Sequence, residues 1–326
     1  MTESDSLPAR TVFVGIDVAL DKLDWARSDS NQVTTVANNP QGIAEILQSL
    51  KLLAPSTIVV EATGGLERDV LAALLEAGLP VALANPGRVR QFATGLGRLA
   101  KTDPIDARVL AEYARLAAPR LAQKRSENQQ ELDALTTCRR QLTQVRTEQS
   151  NRRRQTRSKR ALKAIDAVLK TIEQQIKKLD GQIAKLIESD EDLSACDAML
   201  RSAPGVGPVL SATIMAELSE LGSTGRRQIG ALAGVAPFNR DSGRRKGARA
   251  IRGGRTAVRS VLYMGAVAAM RFNPIIKAFA DRLKNNGKKN KVVIVACMRK
   301  LISLLNAMLR DNLHWNQLNL VKALDL

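Results

Sequence analysis

Asp17, Glu61, Asp103 and Asp106 fall at the ends of segments that read as regular structure. Asp17 ends the apolar run in TVFVGIDVA, and Glu61 ends the run in STIVVEATGG. Asp103 and Asp106 open the helical pattern KTDPIDARVL. Carboxylates gathered at one edge of a sheet hold Mg²⁺ against phosphate oxygens. That ion takes hard oxygen ligands, and phosphoryl chemistry uses it to offset developing negative charge. Glu61 is the most telling of the four, because a charge directly after the apolar run is costly unless something pairs it. Asp103 and Asp106 are three apart and share a helix face. Asp103 before Pro104 also reads as an N-cap, with Asp106 at N3. Asp17, followed by Asp21 and Asp24, also fits a turn at a strand end.

A second chemical candidate is Ser242, in PFNRDSGRR. A serine followed by glycine in an arginine-dense loop can attack a phosphodiester: the glycine leaves room, and the arginines neutralise charge developing on the phosphate. The same residues also describe an ordinary solvated turn. The chain has one histidine, His314 in DNLHWNQ, which reads as structural. A Ser-His-Asp hydrolase and a histidine metal cluster are therefore both excluded. The serine would need help from metal, arginine or carboxylate to lose its proton.

Two basic runs read as phosphate contacts. In 151–160, Arg152, Arg153, Arg154, Arg157, Lys159 and Arg160 make six positive charges in ten residues. In 240–259, Arg240, Arg244, Arg245, Lys246, Arg249, Arg252, Arg255 and Arg259 make eight in twenty. Arg252, Arg255 and Arg259 are expected on one helical face. Aromatic residues are 3% of the chain, so backbone charge and duplex shape should outweigh base stacking.

The charge is divided along the chain. Residues 1–120 hold 12 Lys/Arg and 14 Asp/Glu, a net −2; residues 121–326 hold 38 and 18, a net +20. A near-neutral first region suits chemistry or metal, and the basic remainder suits a polyanion. Cys138, Cys196 and Cys297 lie far apart, which argues against a disulfide framework or zinc site and fits a reducing compartment. The opening MTESDSLPAR is polar and the longest apolar run, VLYMGAVAAM, is about half a membrane span. A soluble, cytoplasmic protein without a membrane partner is expected.

The elements that must position these groups follow from periodicity. Residues 1–122 read as β-β-β-α-β-α-β-α-α, a mixed sheet with helices on its faces, in which the first and fourth strands lie side by side as in an RNase H-like fold. Residues 123–195 read as a helical segment. Leu162, Ile165, Leu169, Ile172, Ile176, Leu179, Ile183 and Leu186 form its heptad seam, and an earlier helix carries Leu132, Leu135, Leu142 and Val145. This predicts a helical hairpin or a dimerising coiled coil with a basic tip; the heptad does not fix the partner. Residues 196–326 read as helical and glycine-punctuated. There the PGVGP turn is either helix-hairpin-helix-like, offering backbone N–H groups to phosphate, or a tight turn between packed helices.

GIDVALDKLDWA, VVEATGG, KTDPIDARVLA, PGVGP and GVAPFNRDSGRRKG together resemble the DEDD-type insertion-sequence transposases, the group that includes the pilin-gene inverting recombinases. The resemblance runs from about residue 12 to 310. It implies an α/β plus α architecture: a RuvC-like RNase H-fold domain, a coiled-coil linker and a mainly helical transposase domain. It implies an acidic tetrad on Asp17, Glu61, Asp103 and Asp106 that binds Mg²⁺, and a nucleophile on Ser242 that forms a phosphoserine link to DNA. It further implies a prokaryotic, nucleoid-associated protein, donor and target double-stranded DNA as partners, a bridge RNA that guides them, and a homo-oligomer, dimer or tetramer. The alternative is a RuvC-like metal-dependent DNA endonuclease in which water attacks and Ser242 only positions DNA.

Overall fold

The computed structural model describes residues 11–98, 103–239, 247 and 249–317; the side chains of Asp103 and Pro104 lie outside that description. By contacts the chain divides into two units, Met1–Arg125 and Ser126–Leu326.

The first unit has the expected element order. Strands β1 (Phe13–Val18), β2 (Lys22–Arg27) and β3 (Val33–Ala37) precede helix α1 (Pro40–Leu53). Then follow β4 (Thr57–Glu61), α2 (Arg68–Glu76), β5 (Val81–Ala84), α3 (Pro86–Gly95) and α4 (Asp103–Ala117). The strands are ordered β3-β2-β1-β4-β5. β1 pairs antiparallel with β2 and parallel with β4, and β4 pairs parallel with β5. The first and fourth strands are therefore neighbours, as the sequence pattern predicts. Local chemistry sets the helix starts: the Asn39 side chain accepts the Gly42 N–H and Pro40 takes the first turn of α1.

Both faces of the sheet are buried, which is why β1 and β4 read as nearly continuous apolar runs. Val14, Ile16, Val18, Ile58 and Val60 pack with Ile43, Ile46 and Leu50 of α1 and Val70 and Leu74 of α2. On the opposite face Val59 and Ala82 pack with Val89 and Ala93 of α3 and Val109, Leu110 and Ala114 of α4.

The second unit is helical. α5 (Glu127–Gln155) and α6 (Lys159–Ser189) pair within one chain. Asn128 donates to Asp190 near the root, Arg139 pairs with Asp180 midway, and Arg153 pairs with Asp166 near the tip. α7 (Glu191–Ser202) and α8 (Pro208–Glu217) share a core with the hairpin, where Leu132, Ile183 and Ile187 meet Leu193, Ala212 and Ala216. The three segments read from sequence thus pack as two units. α9 (Arg226–Leu232) leads into the short ribbon β6 (Pro237–Phe238) and β7 (Ala250–Ile251), followed by α10 (Thr256–Phe272), α11 (Pro274–Asn285) and α12 (Asn290–Asp311). Among the described residues α12 is the one helix long and apolar enough to cross a membrane; it is also the main core helix of this unit, burying Cys297, Leu301, Ile302 and Leu305.

The PGVGP turn, which the sequence leaves open between two readings, shows a packing role in this unit, and one sequence expectation changes. Gly205 of the PGVGP turn has φ 100° and its α-carbon faces Ala269 of α10, where a Cβ would come within 2.6 Å of the Ala269 Cβ. That glycine serves close helix packing. Arg252, Arg255 and Arg259 do not share a helical face, because α10 starts only at Thr256. Gly253 and Gly254, at φ 70° and 71°, break the chain between β7 and α10, and Gly254 stacks directly on Gly234.

Candidate active site

The acidic edge is built by strand register. Val14, Gly15 and Ile16 of β1 lie opposite Ile58, Val59 and Val60 of β4. One residue further along, Asp17 and Glu61 come level on neighbouring parallel strands, about 4.8 Å apart. Alternation puts both on one face, since Val14, Ile16, Val18, Ile58 and Val60 point to the other. Their own face is the one covered by α4. Both acids are half-buried at the carboxyl ends of their strands.

Gly15 sets how α4 lies there. A Cβ at Gly15 would collide with the Ala107 carbonyl, the Ala111 nitrogen and the Leu110 Cβ, so the helix backbone rests directly on the strand. Beyond α4, Ala122 donates its N–H to the Val81 carbonyl at the opening of β5 (2.7 Å). The helix therefore descends toward the amino ends of the parallel strands, and its first turn stands over their carboxyl ends. Asp106, half-buried, precedes the fully buried Leu110 by one turn and so lies toward the sheet-facing side of α4. Asp103 is the first residue of α4.

The loop after Glu61 is tied down. Glu67, 8% exposed, accepts the N–H groups of Thr63 and Gly65, each at 2.9 Å. Gly64 and Gly65 take φ 67° and 108°, which an L side chain adopts only with strain. The VVEATGG motif thus turns the chain sharply at the sheet edge and leaves open space beside Gly64. Sequence reading passed over Glu67; its signal is an acid six residues after Glu61 beyond a double glycine.

It also passed over Asp24 as a member of this region. Asp24 is the cross-strand partner of Asp17 and is 3% exposed, the most buried carboxylate among the described residues. It accepts from Lys22 Nζ at 2.9 Å and from the Thr35 hydroxyl. The LDWA alternation places it on the same face as Asp17.

The donor set is chemically right for Mg²⁺, with carboxylate oxygens and neither sulfur nor imidazole among the candidates. Among the described residues no group of three or more His, Cys, Asp or Glu side chains is arranged to hold a metal ion. The register itself brings two of the four expected ligands together.

Ser242, Arg240, Arg244, Arg245 and Lys246 lie outside the described residues. The ribbon that carries their loop is described: Phe238 pairs with Ala250, so the two ends of 239–249 are held side by side. Arg249 and Arg252 are exposed. Arg255 makes a two-pronged pair with Glu220 at 2.6 and 2.8 Å, and Arg259 donates to the Gly253 carbonyl at 2.6 Å. Both guanidiniums thus have internal partners. At the hairpin tip Arg152, Arg154, Arg157, Lys159 and Arg160 are exposed, while Arg153 is paired with Asp166. Cys196 and Cys297 are free thiols pushed up to about 11 by burial, and neither can serve as a thiolate nucleophile near neutrality.

Known proteins match most of the length of this chain. A transposase family model of the IS110 DEDD type matches residues 14–157, and the model described as "Transposase IS116/IS110/IS902 family" matches residues 197–281. The pilin gene-inverting protein of Moraxella lacunata is 29% identical over 314 residues, covering 92% of this chain and 96% of that protein. A 42 kDa protein of insertion element IS900 from Mycobacterium paratuberculosis is 32% identical over 120 residues, covering 35% of this chain and 29% of that protein. Among solved structures, T. thermophilus RuvC in complex with a Holliday junction substrate covers 34% of this chain and 100% of its own, at 21% identity and a TM-score of 0.26, too low to add to the strand order. With transposase models of the IS110 group matching residues 14–157 and 197–281, and a relative aligned over 92% of this chain, the chain belongs to the IS116/IS110/IS902 family of transposases.

Proposed function

We propose that this transposase cuts and rejoins DNA through Ser242, with Mg²⁺ held by Asp17, Glu61, Asp103 and Asp106 on a RuvC-like N-terminal unit. The observation that carries the reading is the level, same-face placement of Asp17 and Glu61 beneath the first turn of α4. Bound there, Mg²⁺ supplies charge neutralisation at the phosphate oxygens. The four carboxylates provide the hard oxygen donors. Ser242 Oγ forms a bond to phosphorus as the bond to one deoxyribose oxygen breaks. The serine gives up its proton, and the departing oxygen takes one and leaves as a hydroxyl. A hydroxyl from the exchanged strand then attacks the phosphoserine and frees Ser242. The covalent link conserves the phosphodiester bond energy, so rejoining needs no ATP.

Arg240, Arg244 and Arg245 are the candidates to hold the scissile phosphate, by paired guanidinium–oxygen hydrogen bonds. The exposed basic tip of the hairpin, with Arg249 and Arg252, serves donor and target DNA. Strand exchange needs at least two serines, hence a dimer or tetramer, and the pilin gene-inverting relatives support a reaction on paired DNA sites. A bridge RNA as guide rests on the family resemblance and on the same basic surfaces.

The test is a denaturing gel of labelled DNA after reaction. A protein–DNA adduct that forms with Ser242 and is absent in Ser242→Ala supports the serine mechanism. Free ends, with cleavage retained by Ser242→Ala, would leave a metal-dependent nuclease using water. Sequencing RNA that copurifies with the protein tests the guide: one defined RNA from the flanking element supports it, and random RNA counts against it.

A further inference from the structure

The cross-strand pair of Asp17 and Asp24 poses an electrostatic problem that the neighbouring side chains resolve. The Ala19 N–H bonds the Lys22 carbonyl and the Ser28 N–H bonds the Phe13 carbonyl. Between these, Asp17 and Asp24 occupy a hydrogen-bonded antiparallel position, with Cα atoms about 5.5 Å apart. Like charges directly opposite on a sheet repel. A buried carboxylate is also costly unless it is paired and hydrogen-bonded. Asp24 meets both demands, taking a charged hydrogen bond from Lys22 and a second hydrogen bond from Thr35. All three residues lie on the face that carries Asp17 and Glu61, since Asp24 is registered to both Asp17 and Thr35.

Lys22 is the more exposed member of its pair with Asp24. It stands at the first position of β2, beside the carboxyl end of β1, and its side chain is 41% exposed while that of Asp24 is 4% exposed. A free lysine carries four flexible methylene groups and orders poorly; this one is fixed by a rigid, buried acid. The ammonium has three N–H donors and can hold more than one anionic oxygen at a time. A phosphodiester approaching the acidic edge meets repulsion from the carboxylates. A fixed cation on that face reduces it.

We propose that Lys22 contacts a phosphate of the DNA beside the acidic edge, and that Asp24, itself held by Thr35, is the positioning residue that aims it. The proposal deepens the reading above and rests on it, because it takes the edge with Asp17 and Glu61 as the place where DNA is cut.

The test uses the full chain and a fluorescently labelled DNA duplex, with binding followed by anisotropy over a range of salt and cleavage followed separately. Lys22→Met should bind a few-fold more weakly, and its slope of log affinity against log salt should flatten by about 0.9, the value for one lost phosphate contact. Lys22→Arg should restore the slope, and Asp24→Asn should flatten it partly although the lysine remains. Thermal melting identifies any variant that fails to fold. A slope unchanged in folded Lys22→Met, or unrestored by Lys22→Arg, overturns the phosphate contact. A wild-type slope in folded Asp24→Asn overturns the positioning role. Glu61→Gln, run alongside, tests the parent reading separately: loss of cleavage with an unchanged slope supports it, and cleavage retained by Glu61→Gln sinks it whatever Lys22 does.

Discussion

The two units treat their carboxylates differently. In the basic half, residues 121–326 with net +20, arginines capture acids: Arg255 takes Glu220, Arg139 takes Asp180 and Arg153 takes Asp166. In residues 1–120, with net −2, Arg27 takes Asp29 and Arg98 takes Glu112, but strand register also brings Asp17 and Glu61 level at a sheet edge. On the function proposed above, acids that hold a metal sit best where guanidiniums are sparse, because guanidiniums compete as counter-ions. A surface meant for DNA needs that same field. Separating the two tasks into two units lets each keep its own charge.

The largest expected effect breaks the first half of that comparison. Glu61→Gln keeps the shape and removes the charge. Recombination should fall about 1000-fold or more, the several kcal/mol that metal neutralisation contributes, while DNA affinity in a binding assay stays near wild type. A matched loss of affinity would mean that the acidic edge and the basic surfaces are not separate tasks.

Stability offers the next contrast. Leu301 is fully buried in α12, and Leu301→Ala should cost about 2–5 kcal/mol. Gly15→Val should cost about 1–3 kcal/mol by forcing α4 off β1. Calorimetry should place the two losses in different units: the alanine variant lowers the melting of the helical unit, and the valine variant lowers that of the sheet unit. Gly15→Val should also reduce cleavage, by moving Asp106 relative to Asp17. A single transition shifted equally by both variants would show that the units unfold as one.

The smallest effect concerns the hairpin root. Asp190 caps α7 by accepting the Leu193 N–H and also accepts from Asn128, and these hydrogen bonds hold its carboxyl below the usual range. A depressed folded-state value means the contribution is whole above about pH 4, the unfolded value, and fades as pH falls through the folded one. Asp190→Ala should cost about 1 kcal/mol at neutral pH. The difference from wild type in denaturant melts should shrink in acid; a difference that grows there would contradict the assignment.

Much of the sheet unit was legible from local patterns. The apolar runs around Asp17 and Glu61, the Asn39-Pro40 start and the turn residues between strands give the element order directly. The heptad of α6 announced a helical partner, and the structure supplies α5 of the same chain. What sequence could not give are contacts between distant residues. Nothing local to Gly15 says that α4 rests on it, and nothing local to Asp24 says that it pairs with Asp17. Arg255 and Arg259 sit in a basic run and read as phosphate contacts. Only the folded chain brings Glu220 and the Gly253 carbonyl to them. The acids were found because strand ends are visible in sequence. Their supporting residues were missed because support is a matter of neighbours.

The hairpin has a consequence of reach. From Asn128 near its root to Arg153 near its tip, α5 rises about 38 Å. That is roughly the length of eleven base pairs along a duplex, at about 3.4 Å each. A contact made by the tip would therefore fall about one helical turn of DNA away from any contact made at the root. The pair of helices then acts as a ruler whose graduation is the heptad. Removing one heptad from each arm shortens it by about 10 Å and should draw in the protected stretch of DNA by about three base pairs. The spacing between bound sites would then be written in the length of two helices, with no base read to set it.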